Sequence, residues 1–183
     1  GALDRFVHRV DRRAHRPFEI EAPWPPSAEQ SRVVTELADA ITSGQQRMVL
    51  KGATGTGKTY AMSQLIARTG RPALVLAPNK VLAAQLWAEL RGFLPKNAVE
   101  YFVSYYDYYR PESYQPTADV YLAKTAAVNE DIDRMRHAAT ASLLSRSDVV
   151  VVASVSCIYG LGVPDLYEAC LLYTSDAADD AHG

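Results

Sequence analysis

The sequence has few cysteines, no long apolar run and no charge excess of either sign. Its two cysteines, Cys157 and Cys170, are too few for a disulfide framework or a cysteine-rich metal site, and they favour a reducing, intracellular environment. The longest apolar run, Val149 to Val155, is too short to span a bilayer, and no signal peptide pattern precedes it. We therefore expect a soluble, cytoplasmic protein with no membrane partner.

The charge balance excludes an overall basic field. Lysine and arginine number 19 against 21 aspartates and glutamates, a net charge of −2. A nucleic-acid partner would therefore have to bind a local patch. With 48% hydrophobic and 22% charged residues, the 183-residue chain is neither collagen-like nor disordered, and its length suits one globular domain.

The two ends differ in character from the middle of the chain. Residues 1–16 form a basic arm with five arginines, which is either solvated surface or a phosphate-seeking segment. Residues 170–183 do not continue the preceding periodicity, and back-translated they resemble the transposase-end adapter of sequencing libraries. We therefore interpret residues 170–183 as an adapter-derived artefact and leave them outside the fold prediction.

Between these ends, strand and helix patterns alternate. Helical spacing begins after the candidate cap Ser27 and stops at Gly44, and further helices are predicted over 58–68, from Leu82 to Gly92, and from Asn129 to about Ser145. The predicted strands are 48–50, 73–77, 99–104 and 149–153. Continuous apolar strands alternating with helices are typical of a parallel sheet with helices on both faces, so we predict an α/β fold.

A phosphate-binding motif lies between the first predicted strand and its helix. The motif G-x-x-x-x-G-K-[ST] is matched by Gly52, Ala53, Thr54, Gly55, Thr56, Gly57, Lys58 and Thr59. Such a loop points backbone N–H groups at phosphate oxygens, and the helix N-terminus adds a partial positive charge. Lys58 is predicted to contact the β- and γ-phosphates, and Thr59 to ligate Mg²⁺, so ATP and Mg²⁺ are the expected cofactors.

Nucleotide hydrolysis also needs a carboxylate at the end of a neighbouring strand. The valine run 149–152 continues into Ala153 and Ser154, with no acid following it. Asp148 stands at the start of this strand, whereas ligands of open α/β sheets bind at the carboxyl ends. We therefore predict nucleotide binding without turnover and assign no catalytic residue.

A tyrosine-rich segment interrupts the alternation over residues 105–128. If residues 105–109 are extended, successive tyrosines point to opposite faces, so a ribbon projecting from the sheet cannot bury all of them. Bases stack on such rings without sequence preference, and Arg110 and Lys124 could contact phosphates. From these residues alone, a nucleic-acid site, a protein-binding surface and plain packing all remain open.

Four sequence blocks carry a resemblance to a known family. They are GATGTGKT at 52–59, LVLAPNKVLAAQL at 74–86, NAVEYFVSYYDYYRPESY at 97–114 and SRSDVVVVASVSCIYGLG at 145–162. Together they resemble the UvrB family, the damage-verifying, helicase-like subunits of bacterial nucleotide excision repair. The resemblance implies a P-loop NTPase fold, specifically a RecA-like helicase lobe, with a tyrosine-rich β-hairpin inserted at 105–128 between lobe segments 17–104 and 129–169.

The resemblance also implies roles for individual residues. Gln30 would contact the adenine edge and Trp24 would stack near the base, although Gln30 could be a surface helix residue and Trp24 could cover the domain edge. The DNA-binding residues would be Tyr105, Tyr106, Tyr108, Tyr109, Arg110, Tyr114, Tyr121 and Lys124. DNA, UvrA and UvrC would be the partners of the full-length protein, an excision nuclease subunit of the SOS response. His137 and Cys157 are assigned no chemistry.

The chain departs from the family pattern in two respects. Ala28-Glu29-Gln30-Ser31 stands where the family usually has Gly-Asp-Gln-Pro, and Arg110 replaces a common glutamine. The acidic ATPase motif, the UvrA-binding domain and the second helicase-like domain would lie beyond Tyr167, so the lobe is expected to be incomplete. Two alternatives stay open, a P-loop phosphotransferase acting on a small molecule and a non-catalytic fragment.

Overall fold

A computed structural model describes residues 15–52, 57–104, 118–157 and 170–173, with the backbone alone for 118–129 and 170–173. Its helices are α1 (Ala28–Thr42), α2 (Lys58–Thr69), α3 (Lys80–Phe93) and α4 (Ala118–Ser145). Its strands are β1 (Ala73–Ala77), β2 (Ala98–Phe102), β3 (Val149–Ser154) and β4 (Cys170–Tyr173), and a 3₁₀ turn, Val155–Cys157, follows β3. No helix within the described ranges is both long enough and apolar enough to cross a membrane.

The first helix begins where its capping residue predicts. The Ser27 hydroxyl accepts a hydrogen bond from the backbone N–H of Gln30, and the Gln30 side chain accepts one from the backbone N–H of Ser27. This reciprocal pair is a capping box, which satisfies two N–H groups left without partners at a helix start. The helix prediction from Ser27 towards Gly44 is confirmed.

The strands form one parallel sheet in the order β2-β3-β1-β4. β3 lies between β2 and β1, with Val150 opposite both Val99 and Ala73. All six residues of β3 are buried, as expected for a parallel strand covered on both faces. The predicted α/β class, a parallel sheet flanked by helices, is confirmed.

Helices cover both faces of the sheet. The larger core joins α2 and α3 to inward-facing residues of β1, β2 and β3, and it includes Leu90, Leu94, Val75 and Val152. On the opposite face, Val149 and Val151 pack with Leu143 of α4. A separate apolar cluster, which includes Val34, Ala38 and Leu65, holds α1 against α2.

Several elements differ from the sequence prediction. The expected strand 48–50 is wrong, because these residues have no strand pairing and the side chain of Val49 is 81% exposed. The edge of β1 that it could have joined is occupied by β4, which pairs with β1 from Ala73 to Leu76. Gly92, which has negative φ, lies within α3 rather than ending it, and β2 ends at Phe102.

The long helix begins earlier than predicted. Residues 118–128, expected in the second half of a β-hairpin, are helical, so α4 starts at Ala118 rather than at Asn129. This stretch contains alanine, leucine and lysine, which have high helix propensity, and it starts shortly after Pro116, a residue favoured near helix starts. Residues 105–117 lie outside the described residues, and residues 170–173, left outside the fold prediction, form the edge strand β4.

Candidate nucleotide-binding site

The N-terminus of α2 faces the end of the glycine-rich loop without a side-chain cap. Gly57 is the capping residue, with φ 80° and ψ 31°, in the left-handed region that favours glycine. No side chain caps this helix, so the partial positive charge of its first N–H groups is directed at the loop. Gly52 and Gly57 are the residues of the loop that the structure describes, and residues 53–56 between them lie outside the described residues.

The side chain of Lys58 contacts Gly52, the residue that begins this loop. Its Nζ donates a hydrogen bond to the carbonyl oxygen of Gly52, over 2.8 Å. The ammonium group of the first residue of α2 therefore contacts the residue that begins the glycine-rich loop. Thr59, the next residue, is half-buried in the first turn of the helix.

Gln30 contacts the loop from the start of α1. Its Oε1 accepts from the backbone N–H of Ser27 over 3.3 Å, and its Nε2 lies 3.4 Å from the carbonyl oxygen of Gly57, to which it donates. A Cβ placed on Gly57 would come within 2.4 Å of this Nε2, closer than real Cβ contacts. The structure therefore brings Gln30 against the loop, and a role towards adenine stays a prediction.

The backbone of Trp24 contacts the first turn of α2. The hydroxyl of Tyr60 donates to the carbonyl oxygen of Trp24 over 3.0 Å, and the ring of Tyr60 stacks on Phe93 with centroids 5.0 Å apart. The Trp24 side chain is 59% exposed. Trp24 is therefore accessible to solvent, while its carbonyl oxygen is bonded to the buried residue Tyr60.

The donor groups at this site fit a phosphate chain better than a protein-coordinated metal. Backbone N–H groups, an ammonium and a hydroxyl suit phosphate oxygens. In the part of the chain that the structure describes, no group of three histidine, cysteine, aspartate or glutamate residues could hold a metal ion. A Mg²⁺ ion here would take oxygen ligands from Thr59 and from the phosphates themselves.

Asp148 lies at the opposite end of the sheet from the loop, as its position in the sequence predicts. It is fully buried, and it accepts hydrogen bonds from Arg146 Nε and Nη2, over 2.9 and 2.6 Å, and from Asn97 Nδ2, over 2.9 Å. Burial by itself raises the pKa of Asp148, but the hydrogen bonds from Arg146 and Asn97 outweigh it and hold the pKa below its usual value.

The buried carboxylate of Asp148 belongs to a hydrogen-bond network at the end of the sheet where the strands begin. Asn97 donates to the carbonyl oxygen of Pro17 and accepts from the backbone N–H of Glu19, each over 2.9 Å. The hydrogen bonds that Arg146 donates to Asp148 raise the pKa of Arg146. Asp148 therefore stabilises the folded chain, and no described contact directs it towards the phosphate loop.

A group of small polar side chains lies at the carboxyl-terminal edge, where the sequence analysis assigned no chemistry. Ser104, Ser154, Ser156 and Cys157 are joined by hydrogen bonds, and we call them the Ser/Cys cluster. The signal in the sequence is the change from four valines to Ser-Val-Ser-Cys after the strand. Nothing in that change shows that Ser104, far away in the sequence, completes the group.

The predicted DNA-binding residues fall into two groups. Tyr105, Tyr106, Tyr108, Tyr109, Arg110 and Tyr114 lie outside the described residues. The backbone of Tyr121 and Lys124 is in α4. Tyr101, just before the segment, is buried and stacks on Trp87 with centroids 5.4 Å apart, so it is a core residue.

The parallel sheet, its flanking helices and the loop at the start of α2 define a helicase-like P-loop NTPase lobe. A family model described as "Type III restriction enzyme, res subunit" matches residues 24–152, and the chain belongs to this family. The match covers both Trp24 and the whole phosphate loop, and it ends within β3. The helicase-like class inferred from the sequence blocks is therefore confirmed.

The curated relatives agree with the resemblance drawn from those blocks. The chain is 56% identical over 159 residues to UvrABC system protein B of Lactococcus lactis subsp. lactis, covering 87% of this chain and 23% of that protein. It is 59% identical over 150 residues to UvrABC system protein B of a strain of Prochlorococcus marinus, covering 82% of this chain and 22% of the relative. The chain thus spans less than a quarter of the length of these relatives, and its similarity to UvrB is confirmed.

Proposed function

We propose that this chain is the nucleotide-binding portion of a UvrB-like protein, which uses ATP to recognise and verify DNA damage in nucleotide excision repair. The observation that carries the proposal is the uncapped start of α2, with Lys58 folded across the loop and Gln30 packed on Gly57. A phosphate chain fits these donors, and the similarity to UvrABC system protein B supplies the biological context.

In the proposed site, the protein binds and orients the nucleotide. The N–H groups at the start of α2 and the Lys58 ammonium hold the phosphates, so the lysine exchanges the Gly52 carbonyl for phosphate oxygens. Thr59 would supply one oxygen ligand to Mg²⁺, and the bound ion would neutralise phosphate charge. Trp24 and Gln30 are proposed to contact the base; the support is the bond from Gln30 to Gly57 and the bond from Tyr60 of α2 to the Trp24 carbonyl oxygen.

The test of nucleotide binding is titration of the full chain with ATP, with and without Mg²⁺, by isothermal calorimetry. Lys58→Ala should weaken ATP binding at least about tenfold, because it removes a charge-assisted hydrogen bond to phosphate. Lys51→Ala, which removes the exposed lysine directly before Gly52, is the matched control and should change the affinity little. Equal losses in both variants would indicate a nonspecific charge effect and contradict the assignment.

We further propose that this chain binds ATP without hydrolysing it. Asp148, the carboxylate directly before β3, accepts hydrogen bonds from Arg146 and Asn97 at the end of the sheet opposite the loop. A carboxylate that polarises water must lie near the phosphates. Steady release of phosphate by the full chain, abolished in Lys58→Ala, would show that an acid elsewhere in the chain completes the site.

The tyrosine segment is proposed to contact DNA by stacking. Replacing Tyr105, Tyr106, Tyr108 and Tyr109 together by alanine should remove most of the affinity for single-stranded or damaged DNA, since each stacked base contributes about 1–3 kcal/mol. The matched control replaces the same residues by phenylalanine, which keeps the rings and should retain binding. Fluorescence anisotropy with a labelled oligonucleotide measures both, and unchanged affinity in the alanine variant would refute stacking.

The remaining elements of the proposal concern the longer protein. UvrA and UvrC are its proposed partners, and excision of damaged DNA as part of the SOS response is its proposed context. Tyr114, Tyr121, Arg110 and Lys124 are proposed to add contacts to bases and phosphates next to the four tyrosines.

A further inference from the structure

Tyr60 connects the start of α2 to the chain that precedes α1. It is the third residue of α2 and is 6% exposed. Its hydroxyl donates to the carbonyl oxygen of Trp24 over 3.0 Å, and its ring stacks on Phe93, the last residue of α3. The carbonyl oxygen of Phe93 accepts a hydrogen bond from the backbone N–H of Glu21 over 2.9 Å. The chain from Glu21 to Trp24 is therefore bonded at both of its ends to the stacked pair of Tyr60 and Phe93.

The segment that follows, from Trp24 to Gln30, is bonded to the start of α2 at its other end as well. Gln30 Nε2 donates to the carbonyl oxygen of Gly57 over 3.4 Å, and Gly57 directly precedes Lys58. Trp24 and Gln30, the two residues proposed to contact the base, are thus each bonded to a residue between positions 57 and 60. A shift of this segment away from the start of α2 would break at least one of these two hydrogen bonds.

The residues around Trp24 offer few main-chain groups that could fix this segment. All of residues 23–26 except Trp24 are prolines, which have no backbone N–H, so the stretch has a single main-chain donor. A side-chain donor therefore has a larger share in holding the segment, and the Tyr60 hydroxyl is such a donor. The packing of Tyr60 needs only its ring, because phenylalanine would fill the same space and stack on Phe93 in the same way. The hydroxyl is therefore the part of Tyr60 that acts on Trp24.

We propose that Tyr60 is a positioning residue for the base of a bound nucleotide, because its hydroxyl holds the segment from Trp24 to Gln30 against the start of α2. This inference rests on the proposed nucleotide-binding function, and it makes the affinity for the base depend on a buried residue outside the phosphate motif. A segment that is already in place binds the base more tightly, since less ordering cost offsets the contact. The groups that would bind phosphate belong to the loop and to α2 itself. The hydroxyl should therefore raise the affinity for ATP and leave the affinity for a bare phosphate chain unchanged.

The experiment compares Tyr60→Phe with the wild type in the full chain. Tyr101→Phe is the matched control, because Tyr101 is 7% exposed, stacks on Trp87 and donates its hydroxyl to the carbonyl oxygen of Lys80 over 3.2 Å. Each variant thus removes one buried hydroxyl that bonds to a main-chain carbonyl and keeps the stacked ring. Isothermal calorimetry measures the affinity for ATP and for tripolyphosphate, which has the phosphates without the sugar and base. A thermal melt of each variant checks the fold.

Tyr60→Phe should weaken ATP binding about threefold to tenfold, the effect expected from losing one hydrogen bond, while tripolyphosphate binds as it does to the wild type. Tyr101→Phe should leave both affinities unchanged. Loss of affinity for both ligands in Tyr60→Phe, tracking a lower thermal midpoint, would show a merely structural role and overturn the proposal. Equal affinity of the wild type and Tyr60→Phe for ATP would overturn it as well.

A second measurement follows the segment without any nucleotide. Incorporation of fluorotryptophan gives one fluorine NMR signal for each of the two tryptophans, and Trp24→Phe identifies the signal of Trp24. Tyr60→Phe should shift or broaden the Trp24 signal and leave the Trp87 signal unchanged. An unchanged Trp24 signal in a chain that still binds ATP would refute the positioning role alone. Failure of the wild type to bind ATP would refute the proposed function, and the role of Tyr60 in base binding with it.

Discussion

Replacing Asp148 by asparagine should destabilise the fold more than any surface charge change. Asp148 Oδ1 accepts from Arg146 Nε, and Oδ2 accepts from both Arg146 Nη2 and Asn97 Nδ2. Asparagine has the same shape but carries an NH₂ group in place of one of these oxygens. In either orientation, this NH₂ group faces a donor, and the partly buried guanidinium loses its counter-charge.

The expected loss can be worked from these contacts. Removing one partner of a buried ion pair, while leaving the other, costs about 3–5 kcal/mol, and Arg146 is still 26% exposed, so about 2–4 kcal/mol is expected here. For a chain of this size, each kcal/mol lowers the thermal midpoint by about 2–4 °C, so a fall of about 5–15 °C should follow. Glu36→Gln, which breaks an exposed pair with Arg32, should cost less than about 1 kcal/mol.

The stability difference between wild type and Asp148→Asn should depend on pH. The pKa of Asp148 is lowered in the folded chain, so its contribution is fully present above the unfolded value of about 3.9 and is lost as the pH falls through the folded value. The free energies of unfolding of wild type and Asp148→Asn, measured with urea, should therefore show their full difference above about pH 5 and converge at lower pH. Equal stability at pH 7, or a difference that grows on acidification, would refute the reasoning.

Two further substitutions test the local geometry of the site. Gly57→Ala should lower the free energy of unfolding by about 1 kcal/mol or more and weaken ATP binding, because a Cβ there would meet the Gln30 side chain. Gly44→Ala is the control, since Gly44 also has positive φ but has open space around it. It should lower the free energy of unfolding without changing the affinity for ATP. Ser27→Ala should lower the unfolding free energy by about 1 kcal/mol through loss of the α1 cap, measured by urea unfolding; no change would contradict the capping assignment.

Local signals in the sequence predicted the helices around the site. Ser27 caps α1, Lys58 begins α2 and the positive φ of Gly70 ends it, as the sequence pattern indicates. Caps and glycine stops act within a few residues, so no tertiary information is needed to recognise them. The phosphate motif likewise predicts the helix that begins at Lys58, whereas residues 53–56 of the motif lie outside the described residues.

Strand pairing was harder to predict, because it depends on which edges are available. The run from Met48 to Leu50 reads as a buried strand, yet it is unpaired in the described structure, while Cys170–Tyr173 occupies the open edge of β1. Both segments are short and apolar, and nothing in their own sequence decides which one pairs. A three-residue run gains few ladder hydrogen bonds, so tertiary context outweighs its local preference.

The side-chain contacts at the two ends of the strands join residues about fifty positions apart in the sequence. Asn97 reaches Asp148 at the amino-terminal edge, and Phe102 accepts from Cys157 at the carboxyl-terminal edge. Parallel topology places all strand starts on one side, so the sequence was sufficient to exclude Asp148 from the phosphate site. Identifying its partners required the register of β2 against β3, because a shift of one residue would point Asn97 away from Asp148 and leave a buried charge unpaired.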